Sequence, residues 1–148
     1  MITENSTARK PELYEMLDNI EKAQNREDRV NLVRQYGKKY QSFNDYLRCI
    51  FDETIEFALP KGRPPYTPAG EMPPSSWHKR HIDLAYFVKG LSADKLNTIK
   101  REALFIGVLE SIHENDALHI SLISDKKCLV DGLDSEVIDE ALPGLLVK

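Results

Sequence analysis

The sequence predicts an all-α fold, a single compact domain of five to seven helices around a central buried helix, and three observations point to it. Apolar residues recur at helical spacing in most segments, capping residues stand where those segments begin, and glycine or proline stands where they end. A chain of 148 residues suffices for one domain with a real core and is too short for two ordinary ones.

The first ten residues, MITENSTARK, are polar and read as a flexible N-terminus. Pro11 then suits the first turn of a helix, with Leu13, Met16, Leu17 and Ile20 following at i, i+3, i+4 and i+7. Asn25 reads as the cap of a second helix carrying Val30, Val33 and Tyr36, with Gly37 as its left-handed terminator. Ser42 and Asp45 form an approximate capping box for a third, whose inward set is Phe43, Tyr46, Leu47, Ile50, Phe51, Ile55 and Ala58.

Residues 59–76, LPKGRPPYTPAGEMPPSS, hold six of the eight prolines and predict a long exposed loop. Tyr66 and Met72 are candidates for pinning it to the surface, whereas its Pro65 and Pro68 make only a weak polyproline motif. A helix is expected from about Trp77 to Lys89, capped by Ser75 or Ser76 and ended by Gly90.

The stretch from Leu91 to Leu122 reads as the organising element. Its Leu96, Ile99, Ala103, Leu104, Ile106, Val108, Leu109 and Ile112 wrap past one face, which predicts a helix from about Ser92 to Ile112 enclosed on most sides. Ser92 is its expected cap, Asp94 sits in its first turn, and Leu91 is placed to staple onto Leu96. Asn115 then caps a segment reaching Ser124, read as helix although Leu118, Ile120 and Leu122 alternate as in a short strand. Gly132 and an Asp134 or Ser135 cap introduce a last short helix, stopped by Pro143 and Gly144.

Charge is unevenly spread beneath a net −4. Residues 61–101 carry eight basic and three acidic side chains, and residues 102–148 carry three and ten. Such polarity steers a polyanion or acidic partner to one side, or serves packing between segments of opposite sign. No apolar run approaches the roughly 20 residues of a spanning helix, so no membrane partner is expected. The polar N-terminus lacks the apolar region of a secretory signal, and Cys49 and Cys128 read as reduced thiols of a cytosolic protein.

Chemistry-bearing motifs are sparse. Glu110 and His113 have the spacing of a helical metal motif, but a di-metal bundle needs two such motifs with two further inward glutamates. His78 and His81 also lie one turn apart without the partners of a zinc site. Since no phosphate-cradling loop, nucleophile elbow or CxxC pair is present, the expectation is no enzyme, no catalytic residue, no metal and no cofactor. The basic set Lys61, Arg63, Lys79, Arg80, Lys89, Lys95, Lys100 and Arg101 is the candidate for phosphate or partner contacts, the pairs at 79–80 and 100–101 being placed to share a face. Tyr66 and Trp77 are candidates for stacking on bases.

Two resemblances add to this reading. The run KREALFIGVLESIHENDALHISLISDKKCLVDGLDSEVIDEALPGL, with FALPKGRPPYTP and LAYFVKG before it, resembles a family of small proteins of large contractile-tailed bacteriophages. That likeness implies residence in the cytoplasm of an infected bacterium, or else in the virion. The order of a core helix followed by DKKCLVDGLDSEVIDEALPGL is also similar to the end of the helical N-terminal DNA-binding domain of ATP-dependent DNA ligases. Lys127, Leu129, Gly132, Ser135, Val137 and Pro143-Gly144-Leu145 hold the corresponding places, and Lys127 thereby joins the candidate contacts. Ligation itself is not expected, since no lysine precedes Asp131-Gly132 at the Lys-x-Asp-Gly spacing and the chain stops where a nucleotidyltransferase would begin.

The expectation is therefore a non-catalytic phage accessory protein. It would be an adaptor binding nucleic acid or a phage or host replication or transcription protein through Lys61, Arg63, Lys79, Arg80, Lys100, Arg101 and Lys127. A structural or assembly component gripping neighbouring virion subunits is the alternative.

Overall fold

Glu12 opens the first helix by a reciprocal pair of bonds. Its side chain takes the Glu15 N–H while the Glu15 carboxylate accepts the Glu12 N–H at 2.9 Å. From there α1 runs over Leu13–Lys22 and buries the expected Leu13, Met16, Leu17 and Ile20. Pro11 stands one residue before the cap rather than in the first turn. The computed structural model describes residues 9–70 and 72–147, so most of the expected flexible N-terminus lies outside the described residues. Arg9, within them, grips both oxygens of Glu15.

Asn25 accepts the Asp28 N–H at 2.8 Å and starts α2, Arg26–Lys39, as its residue type predicts. The expected terminator Gly37 is inside this helix instead. It stays glycine for space, because an added Cβ would run into both methyl carbons of Leu142 and into Asn44 Oδ1. α3, Gln41–Phe51, follows after the single extended residue Tyr40, whose side chain provides no cap bond. Ser42 and Asp45 do not form a capping box, since both reach toward the segment after residue 76. α3 stops at Phe51, which leaves Ile55 and Ala58 beyond it.

Residues 59–76 are exposed in part but tied down along their length. Lys61 Nζ donates to Ser124 O, Gly62 N to Asp125, Arg63 Nε to Ser121 Oγ, Thr67 N to Glu110 and Ser75 N to Ser111 O. Tyr66 is half-buried and helps pin the loop, whereas Met72 is 92% exposed and does not. The expected helix from Trp77 to Lys89 is one α turn, α4, Trp77–Arg80, continued as a 3-10 helix His81–Tyr86. Gly90, at φ +87°, ends the segment as expected.

The predicted helix from Ser92 is two elements. A 3-10 turn Ser92–Lys95 and the extended Leu96 precede α5, Thr98–Leu109, whose cap is Asn97, accepting the Lys100 N–H at 2.8 Å. Ser92 makes no side-chain cap bond, and Leu91 is exposed rather than stapled, since the α-helix starts five residues later at Asn97. α5 is also not enclosed. Phe105, Val108 and Leu109 face the core while Ile99 is 84% exposed, so the helix lies at the edge with one face in solvent.

The centre belongs to α1 and α3. Met16, Leu17, Ile20, Phe43, Tyr46 and Leu47 are fully buried there, with Ile112, Ile120 and Ile138 reaching the same core. α6, Glu114–Ile120, is capped by His113, whose Nδ1 accepts the Asn115 N–H, two positions before the expected Asn115 cap. It is helical, so the strand alternative falls, and a 3-10 turn Ile123–Asp125 follows. Asp134 caps α7, Ser135–Ala141, by accepting the Val137 N–H. α2 rests on α7 and α1, α1 on α6, α6 on α5, and α3 on α2, α4 and the 3-10 helix. The fold is all-α: seven α-helices and no strand among the described residues, in one domain. No described helix is long and apolar enough to cross a membrane.

Candidate functional site

Trp77 and the two histidines after it fasten the segment 77–91 onto α3. The buried indole Nε1–H donates to Ser42 O at 2.8 Å. His78 sits between the Ser42 hydroxyl, 2.7 Å from Nδ1, and Pro11 O, 2.8 Å from Nε2. A carbonyl only accepts, so Nε2 carries the proton and Nδ1 accepts from the serine. One turn on, His81 Nδ1 is 2.6 Å from Asp45 Oδ2, and the other Asp45 oxygen accepts from Gln41. Both histidines are thus fasteners, which is why their one-turn spacing builds no metal site.

A single antiparallel bridge between Phe57 and Val88 closes the other end, with Ala58 N on Phe87 O at 2.7 Å and Lys89 N on Glu56 O at 2.9 Å. Held at both ends, the segment leaves an open cleft of about 250 Å³ against α3. Ile55, Ile82, Leu84, Ala85, Val88 and Leu91 give it an apolar lining; Asp45, Arg48, Cys49 and His81 complete it. Ile82 is 71% and Leu91 55% exposed, large side chains that a folded chain usually covers when they cluster.

Two further polar groups border this cleft and are taken up by the fold. Burial pushes the Cys49 thiol well up, so its sulfur behaves as an apolar atom. Asp52, at the end of α3, is pushed up by burial but more strongly held down by hydrogen bonds from the Thr54 hydroxyl and N–H, by Val147 N–H and by Arg48. It stays ionised below the ordinary carboxylate range and anchors the chain end near Val147. Arg48 is 3.8 Å from it.

The sequence-predicted basic residues divide into two groups. Arg101 turns inward and donates to Ala58 O, Ala93 O and Leu96 O. Arg63 bonds Ser121 and Tyr66, Lys61 bonds Ser124 O, Arg80 pairs with Asp83 at 3.0 Å, and Lys89 faces Glu56. Lys79, Lys95, Lys100 and Lys127 are exposed, and their amines make no hydrogen bond or ion pair among the described residues. The pairs at 79–80 and 100–101 therefore do not act as doubled charges, because the arginine of each has an internal partner. Trp77 is buried under α3 and cannot stack on a base.

A second groove of about 330 Å³ lies between the proline-rich loop and α5, lined by Leu59, Pro64, Phe105 and Ile106 with Lys61, Arg63 and Glu102. Its two cations are hydrogen-bonded within the fold, whereas Arg48 in the first cleft faces Asp52 at 3.8 Å and makes no side-chain hydrogen bond among the described residues. The α3 cleft is accordingly the stronger site. Glu110 and His113 do not meet, since Glu110 accepts the Thr67 N–H and His113 stacks on Tyr14 at 4.6 Å. Among the described residues no three His, Cys, Asp or Glu side chains are grouped to hold a metal.

The sequence pattern set Ile82 beside the stripe of the helix expected from Trp77, gave Leu91 to a staple on Leu96 and assigned Arg48 no role. The available signal was weak: a 3-10 segment repeats every three residues, and Ile82, Ala85 and Val88 follow that period.

Comparison with known proteins adds a family and nothing finer. No curated protein matches the chain, and no solved structure does. A model described as a family of unknown function, DUF6433, matches residues 16–129, a span from α1 past the 3-10 turn Ile123–Asp125 that contains every residue of the cleft. With well over half of its length inside that match, the chain belongs to the DUF6433 family.

Proposed function

We propose that this protein is a non-catalytic helical adaptor, encoded by a large contractile-tailed bacteriophage, that binds a protein of the replication or transcription machinery in the infected cell. One observation carries the reading: an apolar cleft between α3 and the 3-10 segment whose large side chains Ile82 and Leu91 stand in solvent. Exposed apolar residues gathered around a concavity fit a partner surface better than water. A protein partner suits the site better than nucleic acid, because Arg63, Arg80 and Arg101 are engaged within the fold.

Affinity capture from infected cells tests it, with the wild-type chain and an Ile82→Asp, Leu91→Asp variant as baits. Replication or transcription subunits retained by the wild type and lost by the variant support the reading; equal retention by both removes the cleft from it.

A nucleic-acid contact is a second reading, favoured by the unpartnered amines of Lys79, Lys100 and Lys127. It expects binding of labelled DNA that weakens steeply with salt and with neutralisation of these three lysines. Unchanged binding in the triple variant counts against it.

A further inference from the structure

Three stretches far apart in sequence meet where His78 is held. Its Nε2 donates to Pro11 O at 2.8 Å, its Nδ1 accepts from the Ser42 hydroxyl at 2.7 Å, and its ring packs against Tyr40 with centroids 5.1 Å apart. The approach to α1, the end of α2 and the start of α4 are thereby drawn to one place. Residues 9–11, 38–41 and 76–80 together carry six lysine and arginine side chains and no acidic one.

Two of the six are engaged inside the fold, Arg9 with Glu15 and Arg80 with Asp83. The other four, Lys10, Lys38, Lys39 and Lys79, are exposed, and among the described residues their amines make no hydrogen bond or ion pair. Lys39 Nζ lies 5.5 Å from the centre of the Tyr40 ring, which keeps its charge beside the junction. The carboxylates on this side are taken: Glu15 by Arg9 and the Glu12 N–H, Glu12 by the Glu15 N–H, and Asp45 by His81 and Gln41. Four like charges gathered from three elements repel one another, and an anion that bridges them removes that cost.

Such a face suits a phosphate backbone better than a protein. Protein interfaces centre on aromatic, methionine and arginine side chains and are poor in lysine. Here Tyr40 and Trp77 are buried, and these stretches expose no large apolar side chain. Lysine meets phosphate as a point charge, and contacts to phosphate position a nucleic acid without reading its sequence. We propose that the junction of residues 9–11, 38–41 and 76–80 is a docking face for the phosphate backbone of a nucleic acid, gripped by Lys10, Lys38, Lys39 and Lys79. The lining of the α3 cleft contains none of these four, so the face does not depend on the cleft and leaves it free for a protein.

The test uses the full chain and a fluorescein-labelled 20-base-pair duplex of mixed sequence, with polarisation read from 50 to 200 mM salt. Each phosphate neutralised adds about 0.9 to the steepness of log affinity against log salt, so four lysines predict a slope of about −3.6 and a loss of roughly a hundredfold across that range. Replacing Lys10, Lys38, Lys39 and Lys79 together by Gln should lower affinity by about tenfold or more at 50 mM and flatten the slope to below about 1. A control with the same change in net charge, Gln at the exposed Lys22, Lys95, Lys100 and Lys127, should stay within about threefold of wild type. Amide chemical shifts of the ¹⁵N-labelled protein should move at residues 9–12, 38–42 and 76–80, and unchanged unfolding midpoints show that both variants fold.

Binding that the four junction substitutions leave unchanged overturns the proposal. So does equal weakening by the control, which favours the contact through Lys100 and Lys127 instead. Absence of binding at 50 mM, to the duplex and to a single strand of the same length, overturns it while leaving the capture experiment on the cleft to decide the adaptor reading. A 20-residue polyglutamate peptide that binds the junction as tightly as the duplex would name an acidic protein as the occupant and overturn it as well.

Discussion

Asp116 of α6 accepts the Tyr14 N–H of α1 at 2.7 Å, so a side chain 102 residues away satisfies a first-turn donor of the opening helix. Its other oxygen, Oδ2, is buried with no hydrogen-bond partner among the described residues. Burial pushes this carboxyl up to about 7, with Glu12 and Glu15 adding to the rise and the α1 N–H groups partly opposing it. The tie between α1 and α6 is therefore sensitive to pH.

The sign follows from linkage. The folded protein holds a proton that the unfolded chain has lost between the ordinary aspartate range and pH 7, so this group favours folding most below that range. Its contribution declines as pH rises toward 7, by at most roughly 1.4 kcal/mol per unit. Asp116→Asn keeps an acceptor for Tyr14 and removes the charge. Denaturant midpoints should show the variant more stable than wild type at pH 8 and close to it at pH 4. Parallel pH profiles would sink this account.

Arg101 and Lys100 stand side by side in sequence but should respond oppositely to neutralisation. Arg101→Met removes donors to three carbonyls that join the loop start to the N-terminal side of α5, and should cost about 2 kcal/mol in chemical unfolding. Lys100→Met, at an exposed amine, should change stability by no more than about 0.5 kcal/mol. A similar loss in both would contradict the inward placement of the guanidinium.

Lys126 caps the end of α3 from a distance, its Nζ donating to Cys49 O at 3.1 Å and Asp52 O at 2.9 Å from a left-handed backbone at φ 52°. Lys126→Ala loses the cap and keeps the backbone strain; Lys126→Gly loses the cap and relieves it. Thermal melts should rank wild type first, Gly second and Ala last, the two variants about 1 kcal/mol apart. An alanine variant as stable as the glycine one would show that the conformation costs nothing here.

Gly37 is the contact point of α2 with the chain after α7. Alanine would favour the helix by about 1 kcal/mol but displaces the tip of Leu142, so Gly37→Ala should come out near neutral. Valine, which adds two methyl groups to the same contact, should cost about 2 kcal/mol. In a double-mutant cycle, Gly37→Ala should become more favourable once Leu142→Ala has removed two of its three close neighbours, Asn44 Oδ1 remaining at 2.9 Å. Additive effects would mean that the two residues do not meet.

Helix existence was legible because amphipathic spacing and caps are local. Leu13, Met16, Leu17 and Ile20 marked α1, Asn25 marked the start of α2, and Asp134 or Ser135 that of α7, where the structure uses Asp134, each through residues within one or two turns of one another. Errors arose where two local signals competed. Ser92 was the expected cap, whereas the α-helix starts at Asn97, whose side chain accepts the Lys100 N–H. Gly37 carried the mark of a terminator, but its meaning came from Leu142, more than a hundred residues away.

The candidate site was the least legible part. Its lining comes from three separated stretches, and its boundaries depend on Ser42 with His78, Asp45 with His81, and Phe57 with Val88. No periodicity records such pairings. The basic residues were visible as charges, yet whether each faces water or a carbonyl is fixed by neighbours far along the chain, as Arg101 and Lys100 show.

By itself the sequence determined an all-helical chain, the start of α2, those of α4 and α7 as one of two neighbouring residues, and much of the composition of its core, since these follow from contacts between residues a few positions apart. Tertiary structure alone decided which helix occupies the centre and which hydrophobic side chains stay in water. Apolar residues report that they seek burial without saying against what, and only the packed chain shows that α3 is covered on its inner side while Ile82, Leu91 and Ile99 are left outside.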